Sequence, residues 1–127
     1  MPQSPAPFVW YELMTSDAAA AEKFYKTVVG WKTQDMSQGD MKYTGLLAGD
    51  APVAGLMTLP KEACAAGAKP GWIGYIGVDD VDATAGRVTK AGGRIHVPPT
   101  DIPNVGRFSV VADPQGAVFA VIKMNPR

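Results

Sequence analysis

At 127 residues the chain has room for one compact domain with a real core and too little for two ordinary ones. Twelve Lys and Arg stand against twelve Asp and Glu, scattered singly, which excludes the basic field that nucleic acid or an anionic membrane surface requires. Hydrophobic residues make up 46% and charged residues 19%, an ordinary globular balance. No apolar run approaches the roughly 20 residues of a membrane span. The start, residues 1–7, is polar and proline-rich with no signal-type apolar region. The single cysteine, Cys64, rules out an intrachain disulfide and a thiolate metal cage; it lies in an Ala-rich stretch without a basic neighbour that would obviously activate it. A reduced, cytoplasmic protein is expected.

Glycines and prolines punctuate the chain into short elements. Residues 8–14 read as a strand, and Ser16 or Asp17 then offers a helix N-cap. Ala21, Phe24, Tyr25 and Val28 follow at i, i+3, i+4 and i+7, one face of a helix that Gly30 stops. Residues 31–33, 43–48 and 53–58 have strand character, and residues 59–71, rich in Ala, Gly, Lys and Pro, suit an exposed linker. A strand returns at 72–78. Asp80 caps a second helix with the apolar stripe Val81, Ala85 and Val88, ending at Gly92-Gly93. Strands are expected at 94–97, 107–112 and 117–123. Between the last two, Asp113-Pro114-Gln115-Gly116 is a hairpin turn with Pro at i+1 and Gly at i+3.

The elements come in two matching sets. Asp17 and Asp80, Gly30 and Gly93, and Asp50 and Asp113 are each 63 positions apart, so helix cap, helix stop and hairpin turn share one offset. Internal duplication explains the agreement. Module one covers about 8–58 and module two about 72–123, within a single domain.

A βαβββ module used twice, ending in Asp113-Pro114-Gln115-Gly116 before the last strand, resembles the vicinal-oxygen-chelate superfamily of glyoxalases, bleomycin-resistance proteins and extradiol dioxygenases. Asp17 with Phe24-Tyr25 and Val29-Gly30-Trp31, then Gly106-Arg107-Phe108, carry the resemblance from about 8 to 123. It implies an α+β fold in which two βαβββ modules form a curled mixed sheet, a cup with the helices outside. It also implies four metal-ligand positions, two per module. Those positions fall seven residues before each capping aspartate, on Trp10 and Ile73, and seven after each turn aspartate, on Met57 and Ala120. Indole, alkyl and thioether groups do not hold a hard or borderline dication. A one-residue shift yields no ligand set either, so no metal is expected; with no Gly-x-Gly-x-x-Gly after a strand and no phosphate-cradling Gly-Lys-Ser/Thr, no other cofactor is expected. Relatives with one such domain commonly pair, and Phe8, Trp31 and Trp72 are more large aromatics than one core needs. A homodimer is therefore expected.

Strand alternation puts Trp10, Glu12 and Met14, with Ile73 and Tyr75, on the inner face of that cup. Gly55, Met57, Val118, Ala120, Phe108 and Val110 complete the wall. Such a face suits a hydrophobic or aromatic small molecule held by few polar contacts. Glu12 is the one carboxylate there, and burial would favour its protonated form and fit it for proton transfer. A bland alternative has Glu12 paired with an arginine or set at a wet rim. Tyr75 either donates its hydroxyl to a ligand or fills the wall; residues such as Trp10, Met57 and Phe108 are more often core than ligand contacts. His96, the single histidine, is expected at a strand end near a loop, and Arg107 is expected to face away and pair with an acid. Two functions stay open. One is a metal-free binding protein with Trp10, Met57, Ile73, Phe108, Val110, Ala120 and His96 as ligand contacts. The other is a lyase, isomerase or oxygenase of the same superfamily, metal-independent rather than metal-dependent, using Glu12 and Tyr75.

Overall fold

A computed structural model describes residues 5–37, 42–59 and 69–125. In chain order the elements are β1 (Phe8–Thr15), α1 (Ala18–Val29), β2 (Lys32–Asp35), β3 (Thr44–Ala48) and β4 (Ala51–Thr58). Then come β5 (Gly71–Gly77), α2 (Val81–Lys90), β6 (Arg94–Ile102), β7 (Gly106–Ala112) and β8 (Val118–Met124). The βαβββ order thus occurs twice, in an α+β fold whose eight strands make a mixed sheet that is not closed. By contacts the chain divides into a first unit, residues 10–73, and a second, which joins the segment ending at Val9 to residues 74 onward.

In the first unit the strand order is β2-β3-β4-β1, with β1 and β4 parallel and the other pairs antiparallel. Asp17 caps α1, its carboxylate accepting the Ala20 N–H at 3.0 Å. Gly30 closes the helix in the left-handed conformation (φ 74°), its N–H bonded to the Lys26 carbonyl. Leu13, Leu46, Ala54 and Leu56 form the core, and Ala18, Ala21, Tyr25 and Trp31 pack on it. The apolar stripe expected on α1 is only half used. The contacting line runs through Ala18, Ala21 and Tyr25, and this rotates Phe24 and Val28 into solvent at 57% and 59% exposure.

In the second unit the order is β5-β8-β7-β6, with β5 and β8 parallel. Asp80 caps α2 through the Ala83 N–H, again at 3.0 Å. Val81 and Ala85 are buried as expected, and Val78, Val81 and Val121 form a core cluster with Ile76 and Phe119. Gly92, not Gly93, takes the left-handed turn (φ 92°). Gly93 is needed for space instead, because a Cβ there would strike the Ala112 carbonyl oxygen and the Val88 side chain. Strand β6 extends well past the expected 94–97, through Pro98-Pro99. It is the last strand in the order and is bulged, so prolines cost it no ladder bond. The Asp113 turn forms as read, with Gly116 N–H on the Asp113 carbonyl at 2.9 Å. Arg107 pairs with Asp82 of α2 and with Asp101.

Residues 60–68, which hold Cys64 and most of the expected linker, lie outside the described residues. Leu59, at its start, is buried, and its N–H donates to the Thr15 carbonyl at 2.7 Å. Among the described residues no helix is long and apolar enough to cross a membrane.

Candidate functional site

Leu13 and Leu56, adjacent in register, belong to the core cluster under α1. The alternate side chains of the same strands therefore point away from the helix: Trp10, Glu12 and Met14 on β1, with Gly55 and Met57 on β4. Register sets Glu12 beside Gly55 and Met14 beside Met57. Trp10, Met14 and Met57 are half-buried, whereas Glu12 is only 7% exposed despite its carboxylate.

Tyr43, just before β3, explains how that carboxylate is held. Its phenol lies over Gly55, where a Cβ would overlap the ring and hydroxyl. Gly45, the β3 partner of Gly55, is bare for a similar reason, with the Met36 thioether against it. The Trp10 indole N–H donates to the Tyr43 oxygen at 2.9 Å, and Tyr43 is hydrogen-bonded to Glu12. A phenol has one proton, so with Trp10 donating to its oxygen it donates in turn to the carboxylate. The result is a directed chain, Trp10 to Tyr43 to Glu12. Burial first, and then the charge of Glu12, hold the Tyr43 hydroxyl well above the usual phenol range; the Trp10 bond offsets only part of this. At neutral pH Tyr43 is a locked neutral donor. At 7% exposure Glu12 does not have the wet setting of the bland reading.

The second unit carries the other expected residues. Tyr75 is buried beside Ala120, Ala120 lies beside Val110, and Phe108 beside Ile122. Arg107, one step out of phase on β7, reaches Asp82 of α2, so Phe108 and Val110 face away from that helix. This face is apolar. At the 63-residue offset, Trp10, Glu12, Tyr43 and Gly55 correspond to Ile73, Tyr75, Gly106 and Val118, with no acid among them. Ile73 is half-buried in β5. His96 corrects the expectation of a strand end: it is exposed within β6 and unpaired in the β6–β7 register, at a bulge between Ile95 and Val97.

The four positions that would hold a metal in this fold do not fit one. Trp10 offers only an N–H, already given to Tyr43, and Met57, Ile73 and Ala120 offer a thioether and two alkyl groups. Among the described residues, no three His, Cys, Asp or Glu side chains converge. Tyr43 escaped the sequence reading because its place comes from non-local packing on Gly55. Glycines inside strands, Gly45 and Gly55, are the signal that marks such a close approach.

On the helix side of the first unit, opposite Glu12, lies a shallow apolar hollow of about 270 Å³ lined by Tyr11, Trp31, Val53, Ala54 and Trp72. Tyr25 stacks on Trp31 at 5.7 Å and meets Trp72 edge-on at 5.5 Å.

Comparison with known proteins sets this geometry in a family. Residues 8–121 match the family model described as Glyoxalase/Bleomycin resistance protein/Dioxygenase superfamily. The chain is 43% identical over 120 residues to CFP32 of Mycobacterium bovis, whose name assigns it provisionally to the glyoxylases; the match covers 94% of this chain and 44% of that protein. It is 34% identical over 131 residues to the anthracycline biosynthesis protein DnrV of Streptomyces peucetius, covering 94% and 46%. The chain thus spans less than half the length of these curated relatives. Methylmalonyl-CoA epimerase from Mycobacterium tuberculosis shares the fold, with a TM-score of 0.66 at 16% identity over 94% of this chain and 88% of that one. With the family match over residues 8–121 and these identities, the chain belongs to the glyoxalase/bleomycin-resistance/dioxygenase superfamily.

Proposed function

We propose that the chain binds a flat hydrophobic or aromatic small molecule, without a metal ion, on the face that carries Glu12. The observation behind this reading is a buried carboxylate in apolar surroundings, held by Tyr43 and flanked by Trp10 and Met57. Tyr43 spends its proton on Glu12, so this polar point is an acceptor and favours a ligand that brings a hydroxyl or another donor. Tyr75, Phe108, Val110 and Ala120 give the second unit an apolar face without such an anchor. DnrV, named for anthracycline biosynthesis, adds support, since anthracyclines are hydroxylated polycyclic aromatics. We place the protein in the cytoplasm, where a chain with a single cysteine needs no oxidising compartment.

The test is calorimetric titration of chelator-treated protein with a dihydroxyanthraquinone. One saturable site, unaffected by chelation, is expected. Glu12→Gln should weaken it about tenfold or more, the worth of a hydrogen bond to a charged group. No saturable binding, or equal affinity in the variant, would remove the basis of the proposal.

The same carboxylate favours a second reading, a metal-independent proton transfer in a lyase or isomerase, with Glu12 taking a proton from carbon or oxygen acidified by a carbonyl. Deuterium exchange into the carbon next to the carbonyl of a bound ketone, catalysed by the native chain and absent in Glu12→Gln, would distinguish catalysis from binding alone.

A further inference from the structure

A ligand can bond to Glu12 only by reaching it, and Glu12 is 7% exposed. Tyr43 stands in the way. Its ring and hydroxyl take the space over Gly55, the register neighbour of Glu12. Its oxygen accepts the Trp10 indole N–H at 2.9 Å, and its own proton goes to the Glu12 carboxylate. The acceptor that a ligand hydroxyl would seek already holds a hydroxyl, and that hydroxyl belongs to a phenol.

The main chain around Tyr43 is fastened. The Met36 N–H donates to the Tyr43 carbonyl at 2.8 Å, and the Tyr43 N–H donates to the Ser37 hydroxyl at 3.1 Å. Tyr43 is half-buried, so rotation of its side chain clears the place without any movement of the backbone. The second unit has Gly106 at the duplicate position, so the fold itself does not call for a tyrosine here.

We propose that Tyr43 is a built-in stand-in for the ligand, and that the ligand is a phenol. Its hydroxyl replaces that of Tyr43 between Trp10 and Glu12, and its ring takes the space over Gly55. This rests on Glu12 being the ligand's acceptor, and adds the ligand's class and its way in. An aryl hydroxyl restores both hydrogen bonds, accepting from Trp10 and donating to Glu12, while the released Tyr43 hydroxyl bonds to water. The exchange leaves neither buried group short of its bond. An aryl ether accepts but cannot donate, so it would cost the buried carboxylate a donor; sites built around such a bond reject analogues that lack it. Tyr43 thereby filters ligands. It lowers every apparent affinity by the fraction of molecules in which it has swung out, and a phenol recovers both bonds where other arenes do not.

Calorimetric titration with naphthol and with its methyl ether, on the native chain and on Tyr43→Phe, tests the exchange. Phenylalanine keeps the ring and loses both bonds, so it is easier to displace. Tyr43→Phe should bind naphthol about tenfold or more tightly than the native chain does. The native chain should bind the ether at least about tenfold more weakly than naphthol. Equal or weaker naphthol binding by Tyr43→Phe would overturn the exchange and make Tyr43 a holding group for Glu12. The Glu12 site would survive that result if Glu12→Gln lowered the affinity. Should Tyr43→Phe fail to fold, the native chain decides, because equal affinity for naphthol and its ether contradicts the exchange. No saturable naphthol binding by either protein would remove the exchange together with the Glu12 site beneath it.

Discussion

The two βαβββ units keep the same scaffold and differ in what it carries. Both helices begin on an aspartate accepting an N–H at 3.0 Å, and both units pair their first and last strands in parallel. The register, however, has slipped by two. Glu12 lies beside Gly55, whereas Tyr75, its counterpart, lies beside Ala120, the counterpart of Met57. A two-residue slip keeps every side chain on its face and changes only its neighbour. In the first unit that neighbour is a glycine, which admits the Tyr43 phenol and so a buried acid. In the second it is an alanine beneath a tyrosine, and the surface stays apolar. Duplication preserves caps and turns because local backbone chemistry sets them. Chemistry diverges where a single missing Cβ decides what fits.

Several substitutions would break or sharpen that contrast. Leu46→Ala in the first unit's core should cost about 2–5 kcal/mol in denaturant titration, as deletion from a packed site does. A loss near zero would mean that this unit has no core of its own. Gly55→Ala should cost about 1–3 kcal/mol by overpacking and drive the phenol off Glu12. Val118→Ala, at the duplicate position, is half-exposed and should be close to neutral, so equal effects at the two sites would erase the asymmetry.

Tyr43→Phe should cost about 1–3 kcal/mol by leaving Glu12 and Trp10 short of a partner. It should also change the alkaline limb of the stability profile. The folded state holds the Tyr43 proton more tightly than the unfolded chain does. Its contribution is therefore complete below the ordinary phenol value of about 10 and is lost as pH rises beyond it. Native protein should lose stability above about pH 10 more steeply than Tyr43→Phe. The smallest effect belongs to the second unit. Arg107 holds the Asp82 carboxyl below its usual range, mainly by hydrogen bonding. That contribution is present above the ordinary carboxylate value of about 4 and fades as pH falls through the lowered one. Both groups are exposed, so Asp82→Asn should flatten the acid limb only slightly.

The elements that local chemistry dictates were legible in the sequence. Asp17, Gly30, Asp80 and the Asp113 turn each sit where the residue type alone predicts. Strand alternation was enough to put Glu12 and Trp10 on one face, and Phe108, Val110 and Ala120 on another. Tyr43 was not legible, because its position depends on packing across to Gly55. The left-handed residue at Gly92 and the length of β6 were missed for related reasons. Two adjacent glycines compete for one turn, and prolines end a strand only where it has a neighbour on both sides. The exposure of Phe24 could not be read from helical periodicity, which marks an apolar stripe without saying how much of it the sheet covers.

The most direct measurement follows the three tryptophan indole N–H signals by NMR while a dihydroxyanthraquinone is titrated into the chain. Trp10 lies on the Glu12 face, whereas Trp31 and Trp72 line the hollow on the other side. Binding at Glu12 predicts that the Trp10 signal shifts saturably and that Trp31 and Trp72 hold still. Movement of Trp31 and Trp72 with Trp10 unchanged would place the ligand in the aromatic hollow and contradict the assignment of the acid-bearing face.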